Sequence, residues 1–396
     1  MPTLLAWLAC VDPQFVSAQV NWFTARQAGD RLQEAAVVTE TSQLFTLIRT
    51  VQVTPDAGFD TGSFARVNYL PAKDLLVVTF GSKRSPQAGN CPGAGYGFKE
   101  YTLDMEETGQ AGFFAWVPSA CEANDSGSVM VDNSYYFAWV APGEDYGWRL
   151  SKYDATSWQQ LAQIHVALDS SKETNNDPMV AWANGQLDVS AQYNASGTPP
   201  LEEGAATHHR FFSTDLQILG MRILPDTPHI CGSSMIYVDG VYYFVTANAF
   251  SGDLIVMRYD RDWKFLGTKT LRSQAHWSQG IAFDGQRFYV SYLDTSQRTT
   301  PGFLPVHLNV HLAAFDRDWN LVDDVAVTNF VPADNKQPGR PWVTLRNSRL
   351  YVSYDVDTVD SSTHEEQKQW QAYVSVFAAT ATPTHLARKH LGRTGP

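Results

Sequence analysis

The stretch SMIYVDGVYYFVTA (residues 234–247), LIVMRYDRDW (254–263) and KFLGTKTL (264–271) decides the fold. Apolar and polar residues alternate through four short runs rich in Val, Ile, Tyr and Phe, the pattern of half-buried strands. Asp239-Gly240 supplies the positive φ values that a tight hairpin requires. Asp260 opens a second turn. The unit therefore reads as strand, tight turn, strand, loop, strand, turn, strand. The following stretch copies it as IAFDGQRFYVSY (281–292), HLAAFDRDW (311–319) and NLVDDVAV (320–327), so that Asp316 follows Asp260 by 56 residues.

Working outward, weaker copies open at VNYLPAKDLLVV (67–78), VMVDNSYYFAW (129–139), MVAWANGQLDVS (179–190) and WVTLRNSRLYVS (342–353). At the N-terminus LACVDPQFVSA (8–18) matches the hairpin, and residues 45–54 match the fourth strand. No segment holds a 3.6-residue period over three turns, so no helix competes. Regular four-stranded units that each bury their faces against neighbours describe a closed ring of blades. The expectation is an all-β, seven-bladed β-propeller of four-stranded antiparallel blades, one domain over 1–391. The blades run approximately 1–57, 58–118, 119–169, 170–225, 226–272, 273–330 and 331–391, with 392–396 as a tail. The alternative is six blades, with the N-terminal segment as an accessory or as one closing strand. In these repeats the chain resembles β-propeller proteins in general. It carries neither the Gly-His…Trp-Asp signature of WD40 blades nor the Ser-x-Asp-x-Gly-x-x-Trp box of sialidases.

Composition narrows the function classes. Of 396 residues, 44% are hydrophobic and 18% charged, and the formal net charge of -12 would repel a nucleic-acid backbone or an anionic membrane surface. No apolar run approaches the roughly 20 residues that span a bilayer. Met1 to Cys10 has the look of a short signal core and Val16-Ser17-Ala18 that of a cleavage site, but a basic leader segment is missing. The stretch reads as folded protein, or as the start left after an export signal is removed, which gives a secreted or periplasmic expectation. Cys91 sits in a Gly-rich loop and Cys121 in the next inter-blade connection, so they read either as a disulfide between two loops or as two unrelated thiols. Cys10 and Cys231 read as small buried side chains.

Loop lengths select one face. Connections between first and second strands are two or three residues, whereas those between second and third strands are long, at 81–97, 193–208, 294–306 and 355–369. These emerge beside the blade-to-blade connections, and long loops on a rigid scaffold are where binding and catalysis concentrate. The inter-blade connections lead into the innermost strands, so their last residues ring a central funnel: Arg66, Asp125 with Ser126, Asn176 with Asp177, His229, His276 with Gln279, and Arg340. Arginine forks match the oxygens of a carboxylate, sulfate or phosphate. An acidic glycan or small anionic ligand is the expected partner.

One chemistry consistent with this set is β-elimination from a uronic-acid glycan. Arg340 or Arg66 would neutralise the substrate carboxylate, His229 or His276 would take the C5 proton, and a histidine or tyrosine would protonate the leaving oxygen. Several polysaccharide lyases are seven-bladed propellers with His, Tyr and Arg in these roles, a likeness of architecture and not of motif. Asp125 and Asp177 would serve a hydrolase instead. The competing readings are a non-catalytic module binding a glycan or a protein, and a channel plugged by ion pairs among Arg66, Asp177 and Arg340.

No cofactor is required. Metal is conceivable at His229, His276 and Asp177, and calcium at Asp355, Asp357 and Asp360. The adjacent His208 and His209 point to opposite sides of a strand. Trp148, Trp277, Tyr193 and Trp370 are either sugar-stacking platforms or inter-blade core. Asn194-Ala195-Ser196 is a glycosylation sequon. Basic residues Arg388, Lys389 and Arg393 mark the tail as a linker or docking strand.

Overall fold

The computed structural model of the chain describes residues 42, 44–54, 61–83, 94–117, 126–140, 146–173, 178–193, 206–225, 233–248, 252–296, 308–359 and 369–380. The first strand is β1 (Phe45–Gln52). Blade 1 is β2 (Ser63–Leu70), β3 (Leu75–Lys83), β4 (Ala94–Tyr101) and β5 (Glu107–Val117). Blade 2 is β6 (Ser126–Val131), β7 (Ser134–Trp139), β8 (Gly147–Asp154) and β9 (Gln160–Ala167). Blade 3 is β10 (Met179–Ala183), β11 (Gln186–Tyr193), β12 (Ala206–Phe212) and β13 (Ile218–Leu224). Blade 4 is β14 (Ser233–Val238), β15 (Val241–Asn248), β16 (Asp253–Asp260) and β17 (Phe265–Ser273). Blade 5 is β18 (Ala275–Phe283), β19 (Phe288–Asp294), β20 (Asn309–Phe315) and β21 (Leu321–Ala326). Blade 6 begins with β22 (Lys336–Arg346), β23 (Arg349–Thr358) and β24 (Gln371–Ala379).

The sixth sheet has the order β1-β24-β23-β22, so β1 is the outermost strand of the last blade. This corrects the seven-blade expectation. The propeller has six blades, and residues 45–52, read from sequence as the fourth strand of a blade of their own, complete blade 6 instead. The reason is physical. A strand's alternation fixes which faces are buried, not which neighbour supplies its hydrogen bonds. The hairpin expected at 8–18 lies outside the described residues.

One turn recurs between third and fourth strands, and a carboxylate holds it in three blades. Asp154 accepts hydrogen bonds from the amides of Thr156 and Ser157, Asp260 from those of Asp262 and Lys264, and Asp316 from those of Asp318 and Asn320. A residue with left-handed backbone then turns a large side chain into the blade interface: Met105, Trp158, Leu216, Trp263 and Trp319, with φ between 58° and 64°. Trp158 stacks on Phe98 of the preceding blade at 4.2 Å, Trp263 meets Phe211 at 5.4 Å, and Trp319 meets Tyr243 at 5.5 Å. Five blades carry this turn. Blade 6 has none, because its third and fourth strands come from opposite ends of the chain.

Closure is carried by hydrogen bonds and by one ring. β1 runs antiparallel to β24 from Phe45 opposite Ala379 to Gln52 opposite Tyr373. Buried Phe45 packs edge-on against Phe377 of β24 and Tyr289 of blade 5, at 6.4 and 6.1 Å. Replacing it should therefore loosen the seam between first and last elements. Phe45→Ala is expected to lower unfolding free energy by about 3 kcal/mol. Leu47→Ala on the same strand, 53% exposed, should change it little. Denaturant unfolding of both variants checks this.

Candidate functional site

Each blade's first strand ends its sheet, so one row of its backbone N–H and C=O groups is left facing the axis. The six inner strands, β2, β6, β10, β14, β18 and β22, all contribute to a central cavity of about 200 Å³. Close approach of neighbours shapes it. A Cβ on Gly127 would lie 1.9 Å from the Pro178 carbonyl oxygen, and one on Gly280 would lie 2.2 Å from the Val343 amide nitrogen. The strand ends flanking 84–93, 194–205, 297–307 and 360–368 lie at the same end of the blades as the starts of the inner strands.

Three consecutive inner strands are bulged near that end. Between Ser63 and Arg66, between Gly339 and Trp342, and between His276 and Gly280, β2, β22 and β18 hold more residues than the partner strand opposite. Bulges of this kind bend a strand and re-aim its side chains. Two of the bulged residues take left-handed backbone, Phe64 at φ 53° and Arg340 at φ 47°, a conformation that must be held by its surroundings. The holder is Asp355, fully buried on β23. Its Oδ2 accepts the Phe64 amide at 2.7 Å and Arg340 Nη1 at 3.3 Å. One carboxylate thus ties the bulge of blade 1 to that of blade 6.

The two arginines expected at the funnel meet here and play different parts. The Arg340 guanidinium lies between rings, 4.0 Å from the Phe64 centroid and 4.8 Å from that of Trp370, and is paired with Asp355. Arg66 lines the central cavity, 5.2 Å from the Trp342 ring, and its Nη1 donates to the Arg340 carbonyl at 3.4 Å. Ser126, Ser128, Ser233 and Ser234 add hydroxyls to the same wall. The buried Ser234 hydroxyl has no hydrogen-bond partner among the described residues. Tyr135, in the second blade, exchanges a hydrogen bond with Thr79 at 2.9 Å. Burial pushes its hydroxyl up to about 12, so it stays protonated at neutral pH.

Other expected site residues are less fully placed. His276, Trp277 and Gln279 fall within the β18 bulge, where the backbone alone is described. Asp125, Asn176, Asp177, His229, Asp360, Cys91 and Cys121 lie outside the described residues. Among the described residues no group of three metal-binding side chains gathers. Asp357 accepts the amides of Thr358 and Gln369. Trp148 and Trp370 are buried.

Sequence reading missed the positioning role of Asp355. The signal was available, since FYVSYL (288–293) in blade 5 aligns with LYVSYD (350–355) in blade 6 and puts a carboxylate where the repeat has Leu293. It also missed an ion-pair cluster between blades 2 and 3. Buried Glu173 accepts from His208 Nδ1 at 2.9 Å, Arg210 Nη2 at 2.8 Å and the Asp169 amide at 2.8 Å. Its neighbour His209 points the other way, to Asp188 at 2.9 Å. Burial alone would raise the Glu173 carboxyl, but the bonds from His208 and Arg210 outweigh it and hold the group at about 2.

No protein-family model matches the sequence, and no curated protein matches it. Among solved structures the chain is similar to a protein of unknown function from Dyadobacter fermentans, at 12% identity over 85% of this chain and 100% of that one, with a TM-score of 0.58. It is less similar to a subtype N11 neuraminidase-like protein of A/flat-faced bat/Peru (10% identity, 85% and 95% coverage, TM-score 0.48). A GH43 endo-arabinanase from Bacillus licheniformis gives 11% identity, 64% and 93% coverage and a TM-score of 0.40. The first likeness is one of fold. The protein is a six-bladed β-propeller, and its solved neighbours include neuraminidase-like proteins and propeller glycoside hydrolases.

Because its folded pKa is depressed, Glu173 contributes stability that is present above its ordinary value of 4.5 and is lost as pH falls toward about 2. Glu173→Gln should cost about 3 kcal/mol at neutral pH by leaving Arg210 buried without its carboxylate. It should also flatten stability between pH 4.5 and 2 relative to the parent. Urea titrations across that range check both.

Proposed function

We propose that the central cavity on the long-loop face binds the carboxylate of an acidic sugar, with Arg66 as the anion-binding group. The observation that carries this reading is the placement of Arg66 in the cavity wall, beside Trp342 and the hydroxyl of Ser234, which has no partner among the described residues. A cation, an aromatic face and hydroxyls converging on one concave site suit a carboxylated ring. The protein's net charge of -12 makes a cationic lining a local feature and not a general property of the surface. Arg340, held by Asp355 between two rings, serves to support the wall and not to grip the ligand.

β-elimination remains the reaction that such a site would run. A base takes the C5 proton, C4=C5 forms as the C4–O bond breaks, and the departing oxygen is protonated. His229 and His276 are the groups assigned to these proton transfers. Tyr135, protonated and buried, is not the base. Such glycans lie outside cells, which agrees with a secreted or periplasmic protein.

Calorimetric titration with glucuronate and galacturonate tests the binding step. The parent should bind one of them saturably, and Arg66→Gln should weaken binding at least tenfold while shifting the melting temperature by no more than a few degrees. Equal affinity in parent and variant would remove Arg66 from the role. Incubation with polyuronates, followed by the absorbance of an unsaturated product, separates lyase from binding module. Loss of that product in His229→Ala or His276→Ala with binding retained marks the enzyme.

A further inference from the structure

On the opposite face, where the tight hairpins lie, a second cavity of about 430 Å³ opens between blades 5 and 6. Its walls come from the β18–β19 hairpin, the β22–β23 hairpin and the end of β24, and include Asp284, Arg287, Tyr289, Arg346, Asn347 and Thr380. Arg287 is its distinctive residue. It is only 8% exposed, yet no carboxylate among the described residues pairs with it. A guanidinium has five N–H donors. Arg287 Nη1 donates a long bond to the Thr380 carbonyl at 3.4 Å, and the guanidinium also meets the Tyr289 hydroxyl, so its partners here are neutral.

The nearby acidic groups are already committed. Asp284 Oδ1 accepts the amides of Gln286 and Arg287, both at 2.7 Å, and its Oδ2 accepts the Tyr289 hydroxyl at 2.7 Å. Tyr289 cannot serve as a counter-charge, since burial and the Asp284 bond push its hydroxyl up to about 12. The facing wall brings a second cation, Arg346, whose nearest carboxylate is exposed Asp74 at 3.5 Å. Arg346 also stacks on Tyr69 of blade 1 at 4.0 Å, so its charge is taken up on that side. Arg287 is the cation of this cavity that no carboxylate among the described residues pairs, Asp284 being used by its own turn. Burying a charge without an opposite partner is costly, and the cavity leaves room for that partner to be a ligand.

We propose that this cavity is a second ligand site, distinct from the central one, which takes a small oxyanion, a carboxylate or a phosphate group, through Arg287. Phe283 and Leu345 give it an apolar wall, so the anion is carried on a small organic body. The site needs neither Arg66 nor the reading of the central cavity.

Titration calorimetry at neutral pH and low salt, with inorganic phosphate in one arm and benzoate in the other, tests this. At least one probe should bind saturably at millimolar concentration, and the stronger arm identifies the group. Arg287→Lys, which keeps the charge but loses the fork, should weaken binding about tenfold or more. Asn347→Asp on the exposed rim adds a carboxylate without altering shape and should do the same, which guards against a poorly folding Arg287 variant. Arg66→Gln should leave this binding unchanged. Absence of saturable binding of both probes, unchanged affinity in both rim and Arg287 variants, or loss of binding in Arg66→Gln would each overturn the proposal.

Discussion

The hydrogen-bonded ladder between β1 and β24 is the constraint on which the rest of the ring depends. A propeller blade is a sheet whose two faces are both apolar, so an incomplete ring would leave two such faces in water. Here the sixth blade is assembled from both ends of the chain. Its fourth strand arrives before the first blade is made, and the other three come last. Leu44 and Ser42 extend the seam by bonding Asp323 of blade 5. Residues leading away from β1 bond back to β24 and its approach, through Val53 to Ala372 and Gly62 to Trp370. Closing the circle therefore involves blades 5, 6 and 1 together.

Those three blades are also the ones with bulged inner strands. The coincidence has a physical content. Bulges and left-handed residues such as Phe64 and Arg340 cost free energy and persist only where neighbours over-determine them. Asp355 does so across the seam, joining a backbone amide of blade 1 to a side chain of blade 6. Past the bulge Arg66 resumes regular pairing, opposite Thr79, and lines the wall of the central cavity. The tight face of the same region, between blades 5 and 6, presents Arg287. Strained backbone at one end of the seam and, at the other, an arginine that no carboxylate among the described residues pairs set this side of the ring apart.

Much of the architecture was legible in the sequence because strands of one unit repeat their neighbours' chemistry. The Asp-x-x-Trp turns at 260–263 and 316–319 mark a Trp at two of the blade interfaces, Trp319 buried and Trp263 half-buried, and the Asp239-Gly240 hairpin fixes the register of its strands. The blade count was misread because a fourth-strand pattern looks the same whichever sheet it completes. A count of the third-to-fourth-strand turns gives the right answer, since five chain-continuous turns plus one blade split by the termini make six. The site was legible in part. Arg66 and Arg340 fall where a strand start meets the axis, but their division into a cavity-lining and a wall-bracing residue depends on Asp355, whose partner lies 291 residues away. The repeat comparison marks Asp355 as the odd carboxylate, but no local pattern names its partner in blade 1. Glu173, with partners 35 and 37 residues distant in the next blade, was hidden for the same reason.

Native-state hydrogen exchange read by mass spectrometry tests the closure directly. If β1 completes blade 6, those amides of residues 46–51 that bond to β24 are protected from exchange, while the alternate ones that face outward from this edge strand exchange faster. Exchange of all amides of residues 46–51 at the rate of an unstructured peptide, while β24 stays protected, would contradict the six-bladed ring closed by its first strand.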